Sequence, residues 1–139
     1  MTRIDFHSNV ADKIAYTCRL IRKARAADCK IVVFHHDFTQ LQRLNEALWT
    51  FSEADFLPHV MLDDPLAELT PVILSADDAA ECPHYELLIN LSSATPGNFL
   101  RFERMIEIVS DEEQDRLAGR ERYRAYQQQG HALTHTVAK

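Results

Sequence analysis

Strand-like and helix-like periodicities alternate along almost the whole of this chain, and that alternation limits the fold more than any other feature. KIVVFHH (Lys30 to His36) is a compact, β-branched run that reads as a buried strand. PVILS (Pro71 to Ser75), ELLINL (Glu86 to Leu91) and MIEIVS (Met105 to Ser110) read as further strands. TRIDFH (Thr2 to His7) alternates and reads as a strand that opens the fold. FLPHV (Phe56 to Val60) is short and extended, with Pro58 suited to a strand end or an edge.

Helical spacing fills the intervals. Val10, Ile14, Cys18 and Ile21 recur at three- and four-residue steps, which predicts a helix from Asn9 to Asp28. Asp37 or Thr39 can cap a second helix whose apolar positions are Leu41, Leu44, Leu48 and Trp49. Pro96 begins a helical segment through Phe99 and Phe102. Ser110, followed by Asp111, Glu112 and Glu113, predicts a cap with acids set against the dipole of a last helix that stops near Gly130. Strands separated by helices imply a single α/β domain over residues 1–139, with a largely parallel sheet flanked by helices.

Such sheets often bind nucleotides at the C-terminal ends of their strands. This sequence argues against it. A phosphate cradle needs glycine, because backbone amides must approach the ligand in conformations that a Cβ forbids. Only Gly97, Gly119 and Gly130 are present, and the first strand-to-helix turn, FHSNVADK, has none. The expectation is a nucleotide-binding type of sheet without a phosphate loop and without a cofactor. His35, His36 and Asp37 follow the second strand, and His7 ends the first, so a small metal- or nucleotide-dependent hydrolase is the alternative reading. Adjacent histidines on a strand point to opposite faces, which counts against a shared metal.

Charge is segregated. No lysine or arginine lies between Arg43 and Arg101, while ten acidic residues do, in a chain of formal charge −6. A chain of that balance is not expected to bind nucleic acid strongly by itself. Cys18, Cys29 and Cys82 are odd in number and lack metal-site spacing, so they read as reduced thiols. No run approaches the roughly 18–20 apolar residues of a membrane span, and the first residues lack a secretory pattern. The expectation is a cytoplasmic protein with no membrane association.

Against that background DRLAGRERYRAYQQQGH (Asp115 to His131) stands out. Four arginines and two tyrosines fall within eleven residues, Arg116 to Tyr126. On a helix Arg116, Arg120, Tyr123, Arg124 and Gln127 form one continuous stripe. Guanidinium groups grip carboxylates bidentately, and tyrosine adds apolar area with a hydroxyl. An acidic peptide or a single nucleic-acid strand fits that chemistry. The plainer reading is a solvated helix face whose arginines pair with the acidic middle of the chain.

Several stretches in order, RLNEALW (Arg43 to Trp49), DFLPH (Asp55 to His59), PVIL (Pro71 to Leu74), INL (Ile89 to Leu91), FLRFERMIEIV (Phe99 to Val109) and RERYRAYQQQG (Arg120 to Gly130), resemble the chi subunit family of bacterial DNA polymerase III holoenzyme. The resemblance implies an α/β fold lacking a phosphate loop and a non-catalytic accessory role in the clamp loader. It implies two partners: the psi subunit, in a heterodimer, and the acidic C-terminal tail of single-stranded DNA-binding protein. That tail ends in aspartates, a proline and a phenylalanine with a free carboxylate. By the same likeness Arg116, Arg120, Tyr123 and Arg124 hold the tail, with arginine at two positions where the family carries lysine. Trp49, Phe56 and Pro58 correspond to the psi-facing region. Met61 to Leu69 is acidic where the family has a glycine-richer loop.

Overall fold

Seven strands and three α-helices are found among the described residues of a computed structural model, which are residues 2–50 and 58–138. They are β1 (Arg3–Val10), α1 (Lys13–Ala26), β2 (Ile31–Phe34), α2 (Phe38–Thr50), β3 (His59–Met61), β4 (Val72–Ser75), β5 (Leu87–Asn90), β6 (Arg104–Ser110), α3 (Glu113–Gln128) and β7 (Leu133–Val137). One seven-stranded sheet runs in the order β3-β4-β2-β5-β6-β1-β7, and every pairing in it is parallel.

Parallel neighbours need crossovers, and right-handed crossovers decide which face each helix covers. The chain moves one way across the sheet through α1 and α2, and the other way through α3. Alternating strand residues follow suit. Ile31 and Val33 join Cys18, Ile21, Leu41, Leu44 and Leu48 beneath α1 and α2. Val32 and Phe34 point to the other face, with Phe6, Met105, Val109 and Tyr126 beneath α3. Burying the sheet on both sides is what its compact apolar runs require. Each fully buried Leu or Ile in these layers contributes roughly 1.5–3 kcal/mol.

Several boundaries differ from the sequence expectation for local reasons. β1 continues to Val10, with Asn9 at φ 60 and a register shift between His7 and Val10. Asparagine tolerates that left-handed conformation, so the strand bends there instead of becoming helix. α1 starts at Lys13, where Asp12 caps it by accepting from the Ala15 N–H at 3.1 Å. Asp37 caps α2, accepting from the Thr39 N–H at 2.9 Å. The segment after Pro96 shortens to one 3-10 turn, Phe99–Arg101. α3 begins later than Ser110 predicts: Glu112 is its cap residue, without a side-chain cap bond, and Glu113 and Asp115 supply the first-turn acids. β7 was not anticipated at all. Its threonines and valine follow Gly130, which has φ 82 and ends the helical run.

Candidate functional site

The arginine–tyrosine segment divides into two faces. Arg122 and Tyr126 turn inward from α3, whereas Arg116, Arg120 and Arg124 are exposed and Tyr123 is half-buried. The inward pair serves Glu107, a fully buried carboxylate on β6. Arg122 donates to it through Nε at 3.1 Å and Nη2 at 3.3 Å, and donates through Nη1 to the Ser93 carbonyl at 2.7 Å. Tyr126 and Asn90 donate to the same carboxylate at 2.6 and 2.7 Å. Burial pushes the Glu107 pKa up, while Arg122, Tyr126 and Asn90 oppose that rise. Burial and the neighbouring Glu107 charge also push the Tyr126 hydroxyl up. This network fixes the rotation of α3 about its own axis, and so decides which arginines face outward.

The outward stripe borders a cleft of about 360 Å³ between α3, β1 and β7. Phe6, Val109 and Gly119 give it an apolar floor, and Tyr123 closes one wall with its ring edge-on to Phe6 at 5.1 Å. Arg116, Arg120 and Arg124 stand around the mouth, together with Asp111. Among the described residues, none of these three arginines makes an ion pair. Pairing of the stripe with the acidic middle of the chain is therefore not what is seen; there, Arg101 meets Glu81 at 3.0 Å. Gln127, expected on the stripe, is exposed but does not line the cleft.

A helix packed this close to a strand needs a gap in its side chains. A Cβ on Gly119 would stand 2.9 Å from Val109 Cγ2 and 3.0 Å from Cγ1. Glycine lets α3 settle on β6, and the missing side chain opens the cleft floor. Phe6, Val109, Gly119 and His135 were not singled out from the sequence. Gly119, placed inside an otherwise helical pattern, was the one signal that could have marked a close approach.

A second crevice, of about 710 Å³, lies where β1 and β6 run side by side and send their helices to opposite faces. That is the switch point at which related sheets bind nucleotides. Here it is lined by polar groups that already bond to one another and to the backbone. Lys13 Nζ donates to Asp115 at 3.0 Å and to the Leu91 carbonyl at 2.7 Å. Asp12 and Asp37 are committed to the helix caps. His35 and His36 have left the strand, so their rings lie side by side, 5.0 Å apart, and not on opposite faces. Burial, then the proximity of His36 and Lys13, pushes the His35 pKa down to about 4. His7 is bonded to Tyr16 on α1. Among the described residues no three His, Cys, Asp or Glu side chains are grouped to hold a metal. All three cysteines are free, and burial raises their pKa values, that of Cys18 to about 11.

At the far end of α2, Trp49 is 52% exposed and its ring lies 4.8 Å from that of buried His59. Pro58 is exposed beside it in sequence. Phe56 falls outside the described residues.

The model of the family described as DNA polymerase III chi subunit, HolC, matches residues 1–134. The chain belongs to that family. It is 33% identical over 137 residues to the DNA polymerase III subunit chi of Pseudomonas aeruginosa, covering 96% of this chain and 94% of that protein. The Escherichia coli subunit chi is 24% identical, covering 84% of this chain and 79% of its own length. For the Haemophilus influenzae subunit chi the figures are 25%, 84% and 81%. A chi-family chain has an accessory role in replication by DNA polymerase III. No helix among the described residues is long and apolar enough to cross a membrane.

Proposed function

We propose that this chi-family protein is a non-catalytic, cytoplasmic adaptor of the clamp-loader assembly. Its α3 cleft holds the acidic C-terminal tail of single-stranded DNA-binding protein, and the surface around Trp49, Pro58 and Phe56 holds the psi subunit. The observation that carries the reading is the cleft itself. Three exposed guanidiniums, without an ion pair among the described residues, surround an apolar floor, which suits a ligand with carboxylates next to an aromatic group. Arg120, central on the stripe, takes a carboxylate. Phe6, Val109 and Tyr123 receive the terminal ring. The protein's net charge of −6 disfavours a bare nucleic-acid strand as the alternative occupant.

The test is a titration of labelled peptides. A tail peptide ending in aspartates, proline and phenylalanine should bind, weaken as salt screens the arginines over about 8–10 Å, and retain some affinity at high salt through its aromatic contact. Removing the last phenylalanine should weaken binding even at low salt. If truncation changes nothing, attraction is by charge alone and the cleft is not a pocket for that ring.

A further inference from the structure

His135 brings a fourth nitrogen base into the cleft, from an element that the arginine stripe does not include. It sits on β7, across the cleft from α3, in register with Phe6 of β1. Its Nε2 is 2.6 Å from the Ser8 hydroxyl on β1, and its ring meets Tyr123 edge-on at 6.5 Å. Ser8 and Tyr123 thus fix the ring from two sides. Among the described residues that is its only hydrogen bond, so Nδ1 is uncommitted.

We propose that His135 is an anion contact of the cleft, donating from Nδ1 to a carboxylate of the bound acidic peptide, so that binding takes up a proton. This rests on the peptide-binding reading of the cleft. The imidazolium has two N–H donors, one for Ser8 and one for the ligand, whereas the neutral ring has one. The neutral ring can satisfy Ser8 by either tautomer, as acceptor from the hydroxyl or as donor to it. With Ser8 donating to Nε2 the neutral ring can already offer Nδ1–H to the ligand, and protonation adds a full charge facing the carboxylate.

The other groups around the ring set the balance. From α3, Arg116, Arg120, Tyr123 and Arg124 line the same cleft, and Asp111 reaches it from the turn after β6. From β1, His7 senses His135 electrostatically, as one of the weaker influences on its own pKa. Neighbouring β7 residues Thr134 and Thr136 are uncharged. A ligand carboxylate held among the arginines adds a negative charge beside the ring. The ligand therefore favours the protonated ring. Histidine changes charge between about pH 5 and 8, where aspartates and a C-terminal carboxylate stay ionised. Affinity for an acidic peptide should accordingly rise as pH falls through that window.

The experiment titrates the intact protein with a fluorescent peptide of three aspartates followed by proline and phenylalanine. It is run at fixed ionic strength from pH 6 to 8.5, for wild type, His135→Gln and His7→Gln. Glutamine keeps a polar group near Ser8 but cannot charge. Wild type should tighten about fivefold toward pH 6. His135→Gln should lose most of that tightening, whatever its affinity at pH 8.5, and His7→Gln should keep it. General loss of negative charge at low pH affects all three alike, so the difference between variants isolates His135. If His135→Gln tightens as much as wild type, the proposal is overturned while the cleft remains the peptide site. If wild type binds the peptide at no pH, the reading of the cleft and this inference both fall.

Discussion

Arg122 on α3 and Glu107 on β6 meet inside the protein, Nε to Oε2 at 3.1 Å, with side-chain exposures of 5% and 0%. This pair separates two roles that one stretch of sequence mixes. One arginine locks the helix onto the sheet, and its neighbours are left for a ligand. Breaking a buried pair strands an uncompensated charge, at a cost of about 3–5 kcal/mol. Arg122→Ala should therefore lower the unfolding free energy by that order. Replacing both partners, as in Glu107→Leu with Arg122→Leu, should recover part of the loss, since no charge is left alone. Chemical denaturation of Arg122→Ala, of the two leucine single variants and of their double measures it. A double variant less stable than the sum of its parts would mean the pair is not a charge-coupled unit.

Gly119→Ala should be destabilising although alanine is the better helix former by about 1 kcal/mol. The added methyl meets both Val109 methyls at 2.9 and 3.0 Å, and a β-branched side chain on a strand has little room to give. Overpacking of this kind costs about 1–3 kcal/mol. The expected result is a melting temperature several degrees lower. Adding Val109→Ala should recover part of the loss caused by Gly119→Ala. If Gly119→Ala melts higher than wild type, α3 can lift off β6 at little cost.

The layers were legible because burial on both sites of the sheet writes compact apolar runs, and covering helices write three- and four-residue spacing. Both signals are local. β7 was not legible for the opposite reason: its burial is slight, since only Leu133 is even half-buried, so no apolar run marks it. On α3, spacing placed Arg116, Arg120, Tyr123 and Arg124 on one stripe correctly. It could not show that Phe6 and Val109 supply the floor, or that His135 faces them across the cleft. Those residues meet through parallel pairings across more than a hundred positions of chain. The adjacency of His35 and His36 misled for a related reason: strand alternation stops at Phe34.

Acid should destabilise the junction of α1, β6 and α3. Burial alone would raise the Asp115 pKa, but the Ser110 backbone N–H at 2.7 Å and Lys13 at 3.0 Å outweigh it and leave it lowered. A carboxylate whose folded pKa is below its unfolded value stabilises the fold above the unfolded value, about 3.9. That contribution is lost as pH falls through the lower, folded value. Asp115→Asn should thus be less stable than wild type at pH 7, and the gap should narrow below about pH 4. Melting curves from pH 7 to 2.5 test it; a gap constant with pH would assign the loss to shape and not to charge.

Trp49→Ala should leave the fold nearly intact. Trp49 is 52% exposed, so the expected cost is about 1 kcal/mol. Co-elution with a psi subunit should be lost, because aromatic anchors supply the largest interface terms. Affinity for the acidic peptide should persist, since the cleft is built from α3, β1 and β7. A variant that melts many degrees lower, or loses both partners together, would show that Trp49 holds the fold and that the psi surface lies elsewhere.

Arg120→Ala should weaken acidic-peptide binding more than loss of either neighbour on the stripe. Arg116, Arg120 and Arg124 are one turn apart along α3, so Arg120 alone has a guanidinium on each side and can share a carboxylate with either. Its exposure limits the effect, because water remains available to a carboxylate left behind. The expected loss is about five- to thirtyfold in affinity, not the several hundredfold of a fully buried pair. Arg120→Lys should recover only part of it, since an ammonium keeps the charge and gives up the bidentate fork. Melting temperature should be unchanged in both variants, because Arg120 has no ion pair among the described residues to lose. Equal dissociation constants for wild type and Arg120→Ala would remove Arg120 as an anchor, and with it the case that the stripe was built around its centre.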